Sequence, residues 1–251
     1  MKPCSWLSDS DCDVSDPGHA ARTKRALIVN GDDFGRTPGI NRGVVRAHEH
    51  GVLTSASLMV RWPAATAAAA YCQDRPSLSV GLHLDLGEWR YGGGRWQTLY
   101  QLVSTDDPEA VTAEVARQLA TFRRLVGRQP THVDSHQHVH LREPVRSILM
   151  DAVRPLGIPT RACSPQPRYC GDFYGQMGNG EPWPEGITVD ALVRIVAALP
   201  AGITELSCHP GLGDDFDSVY GSERAEEVGV LCDPRVRAAL AEHHIRLVSH
   251  Q

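Results

Sequence analysis

Short apolar runs alternate with longer amphipathic stretches along most of this 251-residue chain, and this alternation limits the folds open to it. Residues 26–30 (ALIVN), 54–60 (TSASLMV) and 78–84 (LSVGLHL) are apolar runs of strand length. Residues 40–50 and 108–126 instead place apolar side chains at the helical period. Such alternation is typical of parallel strands joined by crossover helices. We therefore predict an α/β fold, an irregular TIM-like (β/α) barrel of about seven parallel strands, with a doubly wound open sheet as the competing topology.

The rest of the chain continues the pattern with two interruptions. Further strands are predicted at residues 131–135, 158–163, 203–208 and 245–250, and further helices after Pro63, near Pro144, at 189–199 and at 234–243. We expect a flexible glycine-rich loop at residues 87–96 and a long irregular segment at residues 164–186. Loops of the second length are usually functional or mobile.

Length, charge and cysteine content limit the class of protein. We predict one barrel domain over residues 24–251, preceded by a flexible acidic extension, residues 1–23, which shows no apolar period. The formal net charge of -5, without a basic stripe, argues against a nucleic-acid partner. No apolar run approaches the length of a bilayer span, and the N-terminal residues lack a signal-peptide pattern. Seven scattered cysteines without a CxxC pair suit a reducing compartment, so we expect a cytoplasmic protein.

Polar side chains cluster at the ends of the predicted strands. The carboxyl ends of parallel strands lie on one face of a sheet or barrel, so residues there should meet although they are distant in sequence. The set comprises Asp32, Asp33, His83, His136, Arg161 and His209. We predict a functional site at this face.

Three residues of this set have the side chains of a metal site. Two imidazoles and one carboxylate, with coordination positions left open, are a common catalytic ligand set for a divalent ion, and His83, His136 and Asp33 supply it. The segment THVDSHQHVH, residues 131–140, holds four of the twelve histidines of the chain. Asp32 is then placed to take a proton from metal-bound water. The ion remains open among Zn²⁺, Mg²⁺, Co²⁺ and Ni²⁺.

Further side chains complete the predicted site. His209 follows a strand at a Pro-Gly turn and is the candidate general acid. His138 and His140 are candidate substrate contacts or hydrogen-bond partners of the metal ligands. Trp89 and Trp96, on the glycine-rich loop, could stack on the faces of sugar rings.

Four segments of the chain resemble the landmarks of a known family. LIVNGDDFG with GINRGVVRAHEHGVLTSASLMV, GLHLDLGE, GRQPTHVDSHQHVH and ELSCHPG are similar, in order and spacing, to those of the YdjC/ChbG-type carbohydrate deacetylases. The resemblance implies an irregular (β/α) barrel and a divalent metal used to hydrolyse the N-acetyl group of an amino sugar. It implies the same ligands, base and acid as above, and an Arg161 that holds the base in position.

Residues 1–23 and 163–185 depart from the family pattern, so the resemblance does not determine which substrate is used. We expect an N-acetylated amino sugar in an oligosaccharide or in a glycosylated lipid or natural product. Two alternatives stay open: a non-haem Fe(II) oxygenase, which uses the same type of ligand set, and a non-catalytic metal- or glycan-binding protein. The sequence also leaves open whether the chain forms a homo-oligomer.

Overall fold

The computed structural model describes residues 24–213, 215 and 219–251. Its strands are β1 (Arg25–Phe34), β2 (Ser55–Leu58), β3 (Ser79–Leu84), β4 (Gly87–Gly92), β5 (Arg95–Gln101), β6 (Val133–Ser135), β7 (Arg168–Cys170), β8 (Gly202–Cys208) and β9 (Ile245–Leu247). Its α-helices are α1 (Pro38–His50), α2 (Ala65–Gln73), α3 (Pro108–Val126), α4 (Val145–Val153), α5 (Val189–Ala198), α6 (Glu223–Leu231) and α7 (Pro234–Glu242).

Seven of the described strands form one curled sheet. Its order is β6, β3, β2, β1, β8, β7, and β9 also pairs with β1. All these pairings are parallel, so the strands end at the same face. The predicted α/β fold, an irregular barrel of about seven parallel strands, is confirmed. The predicted extension at residues 1–23 lies outside the described residues.

The helices cover the sheet with apolar faces that follow the helical period. In α1, the buried residues Ile40, Val44 and Ala47 are spaced by four and three positions. Thr37 caps this helix, because its side chain accepts the N–H of Ile40. Burying a side chain such as Ile40 contributes roughly 1.5–3 kcal/mol, so packing on the sheet holds the helix in place.

The predicted strand at residues 158–163 is wrong. Thr160 forms only an isolated parallel bridge to Val133 at the edge of the sheet. The N–H of Arg161 still donates to the carbonyl of Val133, at 3.0 Å. The chain then turns, with Ala162 in the left-handed region at φ 56° and the N–H of Cys163 bonded to the carbonyl of Thr160. The turn prevents further pairing and leaves Arg161 inside the barrel.

Two segments predicted to be irregular contain strands. β7, within the segment at residues 164–186, pairs with β8. The glycine-rich loop at residues 87–96 is instead the first part of an antiparallel hairpin of β4 and β5. Gly93 and Gly94 form its turn, both with positive φ (60° and 77°), a conformation that suits two-residue hairpin turns. The helix α6 (Glu223–Leu231) was not predicted from the sequence.

Within the described residues, no helix combines the length and the apolar character needed to cross a bilayer.

Candidate functional site

A cavity of about 980 Å³ opens at the carboxyl ends of the strands. Five of the six predicted strand-end residues line it, namely Asp32, Asp33, His83, His136 and His209. The sixth, Arg161, is 2% exposed and contacts Asp32 from within the barrel. The structure therefore brings together all the side chains that were expected to converge.

The end of β1 aims two adjacent aspartates into this cavity. Side chains alternate between faces along a regular strand, so Asp32 and Asp33 would otherwise point apart. Asp33 lies in the left-handed region at φ 63°, and the pairing with β2 loses register between Gly31 and Phe34. Aspartate tolerates this conformation better than most residues. The irregularity allows both carboxylates to line the same cavity.

Asp33, His83 and His136 are buried donors that could hold one metal ion. The Oδ1 atom of Asp33 lies 3.0 Å from Nδ1 of His136 and 3.3 Å from Nε2 of His83. Ligand atoms that share an ion through bonds of about 2.0–2.2 Å are separated by roughly this distance. The donor set therefore fits a divalent cation with two nitrogen ligands and one oxygen ligand.

Neighbouring groups orient these donors. The Nδ1–H of His83 donates to Oδ1 of Asp134 at 2.8 Å, which turns Nε2 of His83 towards Asp33. Arg224 holds the other oxygen of Asp33, Oδ2, at 2.5 Å. Nε2 of His136 has no hydrogen-bond partner among the described residues and lies 3.8 Å from Oε2 of Glu88.

The charges around His83 favour a cation. Burial opposes protonation of His83, but the carboxylates of Asp134, Asp33 and Asp32 outweigh it and raise the pKa of this imidazole to about 10. Without a metal, a proton therefore occupies the electronegative site. A bound metal would replace that proton, since a ligating imidazole is neutral.

A second group, Asp32, His83 and Asp134, also has converging donors. Both of its carboxylates are paired with Arg161, at 2.6 Å in each case. A cation there would lie next to a guanidinium and would be repelled by it. The group that contains Asp33 is therefore the better metal site.

Asp32 is held by a two-point ion pair. NH1 and NH2 of Arg161 donate to its two oxygens at 2.6 and 2.7 Å, and Nδ2 of Asn30 donates to Oδ1 at 2.9 Å. Burial is the largest influence on the pKa of Asp32 and raises it, but the charge and hydrogen bonds of Arg161, together with the charge of His83, outweigh burial, and the net shift is downward. Asp32 is therefore a carboxylate of fixed orientation beside the candidate metal site.

His209 lies beside Asp32, in contact with two aromatic rings. Its Nε2 is 3.8 Å from Oδ2 of Asp32, and its ring centroid lies 5.2 Å from Tyr174 and 5.3 Å from Tyr220. The backbone N–H of His209 donates to Glu227 of α6. Burial lowers the pKa of His209 to about 4, so the imidazole is neutral near pH 7 and must gain a proton before it can donate one.

The remaining histidines of the 131–140 segment differ in role. His140 is buried and is held by Ser135 on one side, while its Nε2–H donates to the carbonyl of Arg161 at 3.0 Å on the other. It therefore fastens the backbone that carries the arginine. His138 lines the cavity, with Nε2 3.1 Å from the hydroxyl of Tyr169. His132 stacks on His250 below the site, with ring centroids 3.9 Å apart.

The hairpin places aromatic side chains at the rim of the cavity. Trp96 is 60% exposed and Tyr91 39% exposed, and their rings meet edge to face with centroids 5.5 Å apart. Trp89 is half-buried and packs on the core, and its backbone N–H and carbonyl both bond the side chain of Gln137. All three aromatic residues line the cavity, but Trp96 presents the most open surface.

Sequence reasoning missed several buried partners of the site. Asp134 belongs to the histidine-rich segment at residues 131–140. Its position in the strand could have predicted that it lies beside His83, its partner in the neighbouring strand. Arg224 and Glu227 come from α6, one turn apart on its buried face. A charged pair at this spacing is also what a solvent-exposed helix shows, so the sequence carried no signal for it.

Comparison with known proteins identifies a matching family and several similar proteins. A family profile described as YdjC-like protein matches residues 26–242. The chain is 32% identical to a carbohydrate deacetylase of Geobacillus stearothermophilus over 90% of this chain and 97% of that one. It is also 32% identical to a chitooligosaccharide deacetylase of Serratia marcescens, over 91% and 99% of the two chains.

A solved structure shares the fold. A protein of Enterococcus faecalis V583, described as a cellobiose-phosphate cleavage protein, superposes with a TM-score of 0.73 at 22% identity. The match covers 90% of this chain and 98% of that one.

Proposed function

Because the chain belongs to the YdjC-like protein family, we propose that it is a metal-dependent carbohydrate deacetylase that removes the acetyl group from an N-acetylated amino sugar. The observation that carries this proposal is the cluster of Asp33, His83 and His136 beside the arginine-held carboxylate of Asp32. The relatives named as deacetylases support it and do not favour the oxygenase or the non-catalytic alternative. We also propose that residues 24–251 form one domain.

Asp33, His83 and His136 would hold one divalent ion. Such an ion supplies Lewis acidity and lowers the pKa of a bound water. The mixed nitrogen and oxygen donor set suits Zn²⁺, Mg²⁺, Co²⁺ or Ni²⁺.

Asp32 would act as the general base. Hydrolysis of an amide needs a proton taken from the attacking water, and Asp32 is ionised and buried beside the ligands. Its two contacts with Arg161 keep the carboxylate from rotating, so its orientation is set before substrate binds.

His209 would act as the general acid. An amine leaves poorly unless it is protonated, so the reaction needs a proton donor on the side of the leaving group. His209 is neutral in the resting site and lies 3.8 Å from Oδ2 of Asp32. The proton that Asp32 takes from water can therefore pass to His209 and then to the amine.

The cavity suits a substrate larger than one sugar. Its volume of about 980 Å³ lies at the upper end of the range for small-molecule sites, roughly 300–1,000 Å³. Trp96 would stack on a sugar ring at the rim, with Trp89 and His138 nearer the reacting group. We propose an oligosaccharide or a glycosylated lipid or natural product that contains an N-acetylated amino sugar. A cytoplasmic location and a homo-oligomer stay predictions.

The test is mass spectrometry of N-acetylated sugars, from single sugars to oligomers and glycosylated small molecules, incubated with protein that carries each candidate ion. We expect loss of one acetyl group from at least one substrate, and no loss after treatment with a chelator. Absence of product from every substrate with every ion would contradict the proposal. Consumption of 2-oxoglutarate by the Fe(II)-loaded protein would point instead to the oxygenase.

A further inference from the structure

Glu205 is a buried carboxylate below the candidate site that the proposed reaction does not use. It lies in β8, is 1% exposed, and its Oε1 accepts the Nε–H of Arg161 at 2.7 Å. Its other oxygen, Oε2, lies 3.6 Å from Nε2 of His250. A carboxylate buried this deeply needs a reason, since burial of a charge is costly.

The reason suggested by the geometry is the orientation of Arg161. The guanidinium has a carboxylate on every nitrogen: NH1 and NH2 contact Asp32, NH2 also contacts Asp134, and Nε contacts Glu205. The group is planar and its donors point in fixed directions. A hydrogen bond at Nε therefore determines which way the two terminal nitrogens face.

The interactions at the other end of Arg161 support this reading. The arginine follows a lone bridge, and its backbone runs directly into the turn at Ala162, so no regular strand aligns its side chain. His140 holds its carbonyl at 3.0 Å. Glu205 contacts the side chain of the same arginine, at Nε of the guanidinium.

Glu205 can make this contact without a full negative charge. Burial raises its pKa to about 7, although the charge of Arg161 opposes the shift. Either protonation state keeps an oxygen that can accept the Nε–H. The charge of Arg161 then remains available to Asp32 and Asp134.

We propose that Glu205 is a positioning residue that fixes the Arg161 guanidinium through its Nε and thereby aligns the Asp32 carboxylate for proton transfer. This inference rests on the proposed function, in which Asp32 is the base. It differs from a merely structural role, in which Glu205 would neutralise a buried charge without affecting turnover.

Two variants separate these roles. Glu205→Gln keeps an oxygen that can accept the Nε–H, whereas Glu205→Leu has a similar volume and removes it. A general base contributes about 10²–10⁴-fold to a rate, so we expect misalignment in Glu205→Leu to lower kcat about tenfold or more. KM and bound metal should stay unchanged, and Glu205→Gln should restore most of kcat. Glu114→Leu, which removes a buried carboxylate of α3 that pairs with Arg117 rather than with Arg161, is the matched control and should leave kcat unchanged.

Three results would overturn the proposal: an unchanged kcat in Glu205→Leu, a change in KM alone, or an equal loss of kcat in Glu205→Gln. If Glu205→Leu does not fold, Glu205→Asp replaces it, since the shorter side chain keeps the charge but withdraws the oxygen from Nε. The same loss of kcat is expected, and full activity would again overturn the proposal.

Crystal structures of the variants test the positioning independently of turnover. In Glu205→Leu, at least one of the two contacts between Arg161 and Asp32, 2.6 and 2.7 Å in the unmodified protein, should be lost, and in Glu205→Gln both should remain. Retention of both in Glu205→Leu would overturn the inference. Should the unmodified protein release no acetate from any substrate, the proposed function fails, and these structures still decide whether Glu205 positions Arg161.

Discussion

Two arginines give the adjacent aspartates at the end of β1 different chemistry. Arg161 takes both oxygens of Asp32, whereas Arg224 takes Oδ2 of Asp33 and leaves Oδ1 facing the two histidines. Asp33 can therefore bind a cation through one oxygen, while Asp32 stays beside it as a base. Without the two guanidiniums, neighbouring carboxylates would repel and one of them would tend to hold a proton.

This division predicts the effect of removing Arg224. Arg224→Met frees Asp33 to rotate, and loss of a partner that orients a metal ligand typically costs about 10- to 100-fold in metal affinity. The measurement is metal affinity by competition with a coloured chelator. Arg42→Met, at an arginine whose side chain is 56% exposed, is the control and should keep full affinity. Equal affinities in the two variants would show that Arg224 does not orient Asp33.

At this scale, the sequence predicted the residues that follow strands and missed those that come from elsewhere. Asp32, Asp33, His83, His136 and His209 could be found because the ends of parallel strands must share one face. Arg224 could not, because its partner is chosen by how α6 packs on the barrel. That packing depends on tertiary contacts, which no local pattern in the sequence reports.

At the scale of elements, the hairpin of β4 and β5 is the main departure from expectation. Three glycines in a row suit a flexible loop as well as a tight turn, and only pairing of the flanking strands decides between them. The structure has that pairing from Gly87↔Gln101 to Gly92↔Arg95. The aromatic residues therefore lie on a two-stranded sheet, from which they line the cavity.

The hairpin predicts a specific change in substrate binding. Trp96→Ala removes an exposed ring at the rim, and a stacked aromatic contact is worth about 0.5–1.5 kcal/mol beyond its buried area. We expect KM for an oligosaccharide to rise about tenfold or less, with kcat little changed, because the ring is proposed to stack on a sugar at the rim rather than to contact the amide. Steady-state kinetics with a single sugar and with oligomers measures this. Leu99→Ala, an exposed residue of β5 that does not line the cavity, is the control.

An equal KM for Trp96→Ala and the unmodified protein, with every oligomer, would remove the hairpin from the substrate site. A fall in kcat with unchanged KM would place the ring near the reacting amide instead.

The incorrect strand at residues 158–163 shows a limit of pattern reasoning. The run Ile158-Pro159-Thr160 has strand composition, but Arg161 must turn inward to meet Asp32, Asp134 and Glu205. A side chain that satisfies three buried carboxylates outweighs the pairing of one short edge strand. The strand propensity of this segment is therefore overridden by a tertiary network of ion pairs.

At the scale of the whole molecule, buried carboxyl groups should make stability depend on pH. Burial raises the pKa of Glu227 to about 8 from an ordinary value near 4.5. Between these values the folded protein keeps a proton that the unfolded chain has released. This contribution to stability is therefore complete below about pH 4.5 and is lost as the pH rises through about 8.

Glu227→Gln tests this dependence, because an amide cannot lose that proton. The melting temperature of the metal-free variant, relative to the unmodified protein, should rise between pH 5 and pH 9 by about 3 °C or more. The exposed neighbour Glu226→Gln is the control, for which no such trend is expected. A difference that stays constant over this range would mean that Glu227 is ionised in the folded protein.

The most direct test of the proposed mechanism compares Asp32→Asn with the unmodified protein for both bound metal and released acetate. Asn keeps the size of the side chain but cannot take a proton from water, and it is not one of the three proposed ligands. We predict one metal ion per chain in both proteins and acetate release reduced by at least about 10²-fold in the variant. Equal acetate release would contradict the assignment of Asp32 as the base, and loss of the metal from the variant would contradict the separation of base from ligands.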